Sequence, residues 1–205
     1  NIAIGQLALG AGVTTGFKNI AMGVSAMDAL TTGYLNVAMS NNALGDLTTG
    51  CYNVAIGTEA LHNNGTGCFN LAIGKCALGG VVTGINNIAM GTNAMDALTS
   101  GICNVAIGTN ALGASTTGCR NIAIGDLALA AGVTTGINNV AVGTASMDVL
   151  TSGTDNVAIG VNSLGAATSG CYNVAIGSGA MGAATTGCSN VAIGNGVMVQ
   201  CAVTG

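Results

Sequence analysis

Five of the eight cysteines, Cys51, Cys68, Cys119, Cys171 and Cys188, each directly follow a glycine preceded by Thr or Ser. Cys51 and Cys68 are 17 residues apart, as are Cys171 and Cys188. Thiols at such a spacing have two uses. Stacked on neighbouring turns of a β-structure their Cα atoms lie about 4.8 Å apart, inside the disulfide range of about 4.4–6.8 Å. Alternatively they form a ladder of free thiols that pack as small hydrophobes. Both uses stay open at the level of sequence. Cys76, Cys103 and Cys201 stand elsewhere in the pattern and are candidates for exposed or interchain thiols. Abundant cysteine in a repetitive chain points to an oxidising compartment. No Cys-x-x-Cys occurs, so no zinc site is expected.

The other reactive residues are few. His62 is the only histidine, which leaves no Ser-His-Asp or Cys-His network to assemble. Its neighbours Asn63, Asn64 and Gly65 mark a surface corner. Asp28, Asp96 and Asp148 share one place of the repeat but fall on separated copies, and the calcium-binding GGxGxD nonapeptide is absent. Neither catalysis, a metal nor a cofactor is therefore expected. Asn64-Gly65-Thr66 is the one N-glycosylation sequon, a candidate acceptor in a eukaryotic secreted protein.

What must position these residues is a short tandem repeat. The pentapeptide Asn-(Ile/Val/Leu)-Ala-(Ile/Met/Val)-Gly begins at Asn1, Asn19, Asn36, Asn53, Asn70, Asn87, Asn104, Asn121, Asn139, Asn156, Asn173 and Asn190. The spacing is 17 residues except after Asn1 and Asn121, where it is 18, and Ser40 is the only replacement of the closing Gly. A fixed short period over a whole chain means a quasi-one-dimensional stack of like units. Residues 1–205 are therefore read as a single all-β parallel β-solenoid, a segment of a longer repetitive protein, with one coil per repeat. Helix is disfavoured by glycine at the fifth and fifteenth places and by the lack of sustained i, i+3, i+4 apolar spacing.

Within a coil, large apolar residues at the second and fourth places suggest one face of a short strand. With Leu or Met in ninth place they are expected to fill the lumen, as Val54, Ile56 and Leu61 would. Turns are expected at the two glycines, Gly57 and Gly67 in the fourth repeat, with two or three short strands per coil. The opening asparagines are expected to stack into a ladder that hydrogen-bonds along the axis. The third place is always Ala. On this parity it faces outward, and a flat column such as Ala55, Ala72, Ala89, Ala106, Ala123 and Ala141 is expected to pack against another chain. Residues 1–16 nearly repeat as 121–136, which looks like duplication of a seven-coil block.

Composition excludes several classes. Charged residues make up 5% of the chain, against about 25% in ordinary proteins. Three basic residues and a net charge of -4 argue against nucleic acid. Gly, Asn or Thr interrupts every apolar run far short of the ~20 residues that a spanning helix needs, so no membrane insertion is expected.

The pattern N-x-A-I-G-x-x-A-L-x-x-x-T-T-G resembles the 17-residue repeats of phage and bacterial tail-fibre-like proteins. NVAIG, as in Asn53–Gly57 and Asn104–Gly108, also resembles, more loosely, the head repeats of trimeric autotransporter adhesins. These resemblances imply a fibre at the cell or virion surface, extracellular and self-associating. The expected role is a structural fibre or filament subunit. The alternative is an adhesin-type or ice-binding module that presents ladders of Thr and Asn. Adjacent threonines in a strand point to opposite faces, so only one outward Thr column is expected.

Overall fold

The computed structural model describes residues 1–10, 14–80, 82–131, 135–183 and 186–198. Each repeat contributes one three-residue strand: β1 Ile2–Ile4, β2 Ile20–Met22, β3 Val37–Met39, β4 Val54–Ile56, β5 Leu71–Ile73, β6 Ile88–Met90, β7 Val105–Ile107, β8 Ile122–Ile124, β9 Val140–Val142, β10 Val157–Ile159, β11 Val174–Ile176 and β12 Val191–Ile193. They form one parallel sheet in sequence order, with no helix among the described residues. The register is that of the repeat: Ala38 pairs with Ala55 and Ala106 with Ala123. The chain is thus a parallel β-solenoid with one coil per repeat.

The parity of the strands is the reverse of the expected one. Ala55, Ala72, Ala89, Ala106, Ala123 and Ala141 are fully buried, whereas Ile56 and Ile107 are each 38% exposed. Leu61 is buried as expected. The lumen is lined by the first, third, eighth, ninth and twelfth places, for example Asn36, Ala38, Ala43, Leu44 and Leu47. It is narrow. Ser146, in eighth place, reaches across to the Ala158 carbonyl of the next coil at 3.2 Å. Two walls that close leave room for a methyl group and little more, which accounts for an Ala column without exception. The alanines therefore do not form an open lateral strip, and the expected assembly surface is not there.

Among the described residues only one segment per coil is a regular strand, fewer than expected, and the turns are not confined to the glycines. The seventh and ninth places have φ near +50° to +60°, as in Asn42 (54°) and Leu44 (52°), and so does the residue before each Asn, as in Tyr52 (56°). This left-handed conformation is strained for a non-glycine residue and worst for a β-branched one. Ile, Val and Thr never occupy these places where φ is positive. That exclusion is why the ninth place is Leu or Met and never Ile or Val. The backbone there is still fully engaged along the axis, as Leu44 N–H donates to Ala60 O (3.0 Å) and Tyr52 N–H to Tyr34 O (3.1 Å).

The two recurring glycines serve different needs. Gly57 has φ +134°, and a Cβ there would also lie 2.6 Å from the Gly74 carbonyl oxygen. Gly50 has no positive φ. A Cβ on it would sit 2.4 Å from Gly67 O and 2.5 Å from Leu47 Cδ1, so it is required by close approach of successive coils.

Candidate functional site

The most ordered polar feature is the asparagine column. Asn87 Nδ2 donates to Asn70 Oδ1 (3.2 Å) and, across its own coil, to Gly101 O (2.9 Å). Its Oδ1 accepts from Asn104 N–H (3.0 Å) and from Asn104 Nδ2 (3.1 Å). Both amide hydrogens and both carbonyl lone-pair directions are thereby used. The same unit recurs at Asn36, Asn139 and Asn156, and among the described residues no buried side-chain N or O atom lacks a partner. The ladder runs from Asn1 through Asn19, Asn53, Asn121 and Asn173 to Asn190. It is saturated and buried, so it holds the coils together and presents nothing to a ligand.

The seven described cysteines are free thiols, and Cys201 lies outside the described residues. Cys51 and Cys68 come together, with sulfurs 2.8 Å apart. Partial burial, then the hydrogen bond with Cys51, raises the Cys68 thiol above the ordinary range. That disfavours thiolate and slows its attack on other disulfides. Cys171 and Cys188 also occupy adjacent coils, yet each sulfur turns to a carbonyl of its own coil, Ser169 O at 3.5 Å and Thr186 O at 3.7 Å. Cys119 does the same with Thr117 O at 3.3 Å. Cys76 donates to Glu59 Oε2 (3.4 Å), and its pKa is raised by burial and then by that hydrogen bond. Beside the cysteines runs an aromatic stack that the sequence reading missed. Phe17 and Tyr34 stack at 5.2 Å, Tyr34 and Tyr52 meet edge-on at 5.5 Å, and Tyr52 and Phe69 stack at 4.8 Å. The rings remain partly open to solvent, with Phe17, Tyr52 and Phe69 exposed.

His62 is a half-buried corner residue, with Nδ1 3.3 Å from Asn42 O and Nε2 4.0 Å from Asp46 Oδ2. Asp148 Oδ1 accepts from Ala131 N–H at 3.2 Å, and burial raises the Asp96 pKa. No cluster of three or more His, Cys, Asp or Glu suited to a metal occurs among the described residues. Asn64 is wholly buried, with its Oδ1 accepting from Gly67 N–H at 2.8 Å. It takes a lumen place filled in other coils by Leu47, Leu98 or Leu150, so the sequon is not offered to solvent as a glycan acceptor.

The Thr-Thr/Ser pairs differ from expectation. The pair lies in a bend and not in a strand: Thr31 and Thr32 are both exposed, as are Thr151 and Ser152, whereas Thr48, Thr99 and Thr116 are half-buried beside exposed Thr49, Ser100 and Thr117. The first hydroxyl is engaged along the axis in several pairs: Thr31 Oγ1 donates to Thr48 O (3.0 Å) and Thr99 Oγ1 to Thr116 O (2.9 Å). The second residues of the pairs form one outward polar column, and the first residues form a mostly half-buried one that Gly65 and Val82 interrupt.

No described helix is long and apolar enough to cross a membrane. No family model, no curated protein and no solved structure matches the chain.

Proposed function

We propose that this chain is a structural element, the shaft of an extracellular or virion-surface fibre or filament, and that it performs no catalysis. One observation carries the reading. Polar groups that another fold would spend on a ligand are spent here on joining each coil to the next, above all in the asparagine ladder. Electron microscopy of the native material tests it. Rods or fibres are expected, and compact globular particles would contradict the proposal.

A second reading is a surface-binding module of the adhesin or ice-binding kind. It is favoured by the outward Thr/Ser column, as at Thr32, Thr49 and Thr117, repeated at the coil spacing beside hydroxyls held in place along the axis. A thermal hysteresis assay separates the two. A shaft gives none, and ice binding gives a gap between freezing and melting that Thr32→Lys and Thr117→Lys abolish.

A further inference from the structure

The reversed parity places every second and fourth strand residue outside. All of these are Ile, Val, Leu or Met, in each of the twelve strands. Along the fourth-place column Met39 is 37% exposed, Ile56 38%, Ile107 38% and Ile159 40%, Met22, Ile73 and Val142 are half-buried, and Ile4 and Ile193 in the end strands are more exposed. The flanking places are mostly polar, with exposed Thr92, Thr109 and Thr144 in sixth place on one side and Arg120 and Asn138 on the other, interrupted by exposed Val24 and Val161 on the first side and Tyr52, Phe69 and Tyr172 on the second. An exposed apolar patch with a polar rim is the anatomy of an interaction site.

Building on the shaft reading, we propose that this aliphatic face is covered by another copy of the same chain, packed sheet on sheet. The size fits. Twelve strands at about 4.8 Å spacing and two columns about 7 Å apart, each extending about 2 Å further with its own side chains, give a face on the order of 600 Å2. A contact between two such faces buries on the order of 1,200 Å2 in total, above the roughly 1,000 Å2 that a specific interface needs. The chemistry fits as well. The face carries no charge or hydrogen-bonding side chain, so a polar partner would lose hydration there without compensation. So does the repeat: a surface with the same axial period interdigitates along the full length, whereas a surface of another period meets it at a few coils only. A lipid surface is the poorer occupant, because the chain has only three cations and no tryptophan to anchor it at a headgroup layer.

Sedimentation velocity on the whole chain, across a range of concentrations, tests the proposal because it reads mass and shape together. The wild type is expected to associate. The pair Ile107→Lys/Ile124→Lys is expected to weaken association about tenfold or more, with an unchanged circular dichroism spectrum. Ile107→Thr/Ile124→Thr keeps the β-branched shape, guards against misfolding of the lysine variant and is expected to weaken association in the same direction. Thr117→Lys, on another face, is expected to leave it unchanged. An elongated wild-type monomer at the highest soluble concentration would overturn the proposed interface and leave the shaft reading standing. So would association that survives both pairs of face substitutions. A wild type that stays monomeric yet floats with phosphatidylcholine vesicles would assign the face to lipid and overturn the proposal.

Discussion

At Asn87 four hydrogen bonds converge on one buried amide, two donated and two accepted. No other side chain of that size supplies both halves. Asn87→Asp keeps the shape but turns both donors into acceptors, so it sets a carboxylate against Asn70 Oδ1 and Gly101 O. An unpaired buried polar group costs about 1–3 kcal/mol and a charged one more. Asn87→Asp is therefore expected to destabilise by about 4 kcal/mol or more at neutral pH, measured by denaturant unfolding, with partial recovery in acid as the carboxyl protonates. Ser40 is the opposite case. It holds φ of 128° where the other coils have glycine, a conformation that costs a non-glycine residue on the order of 1–3 kcal/mol. Ser40→Gly is expected to raise the melting temperature by about 2–4 °C, despite losing the contact with Thr58 Oγ1 at 3.3 Å. A lower melting temperature would show that this contact outweighs the strain.

At the scale of the coil, the left-handed residues do what a loop does elsewhere: they fold 17 residues into a narrow ring without leaving the axial hydrogen-bond pattern. Leu112, at φ 52° and fully buried, shows the constraint. Leu112→Ile conserves volume, and such swaps usually cost under about 1.5 kcal/mol. Here the β-branch meets the left-handed backbone, and the expected loss is about 2–3 kcal/mol, read in the same unfolding experiment with Leu112→Met as the mild control. The sequence made the coil legible because its period is unbroken, and it made Leu61 legible as core. It misassigned Ile56 and Ala106 because large apolar residues were taken to seek the interior. In so narrow a lumen volume decides instead, and the interior takes the methyl while the sheet's outer face takes Ile and Val. A clue was present in the asparagine that opens each repeat. If Asn53 bonds inside the stack, the period of two puts Ala55 inside and Val54 and Ile56 outside. The left-handed places were legible too, as positions where Ile, Val and Thr are missing. The buried state of Asn64 was not, since a sequon reads the same in the lumen as on the surface.

For the whole molecule, parity decides what the solenoid shows to its surroundings. With alanines inside, the rod presents one aliphatic face, one Thr/Ser corner and a corner of aromatic rings and thiols; the opposite parity would have shown a smooth strip of alanine. The proposed fibre role, the proposed lateral contact and the fate of any inserted charge all depend on that choice. Two adjacent residues of β7 test it most directly. Thermal unfolding followed by circular dichroism should be compared for Ala106→Glu and Ile107→Glu. Ala106 is fully buried and Ile107 is 38% exposed, and a carboxylate forced into an apolar interior costs several kcal/mol. The expected result is that Ala106→Glu fails to fold or melts far below the wild type, while Ile107→Glu keeps the β-spectrum and most of the wild-type melting temperature. The reverse, with Ile107→Glu unfolded and Ala106→Glu stable, would contradict the inward alanine column and the outward aliphatic face together.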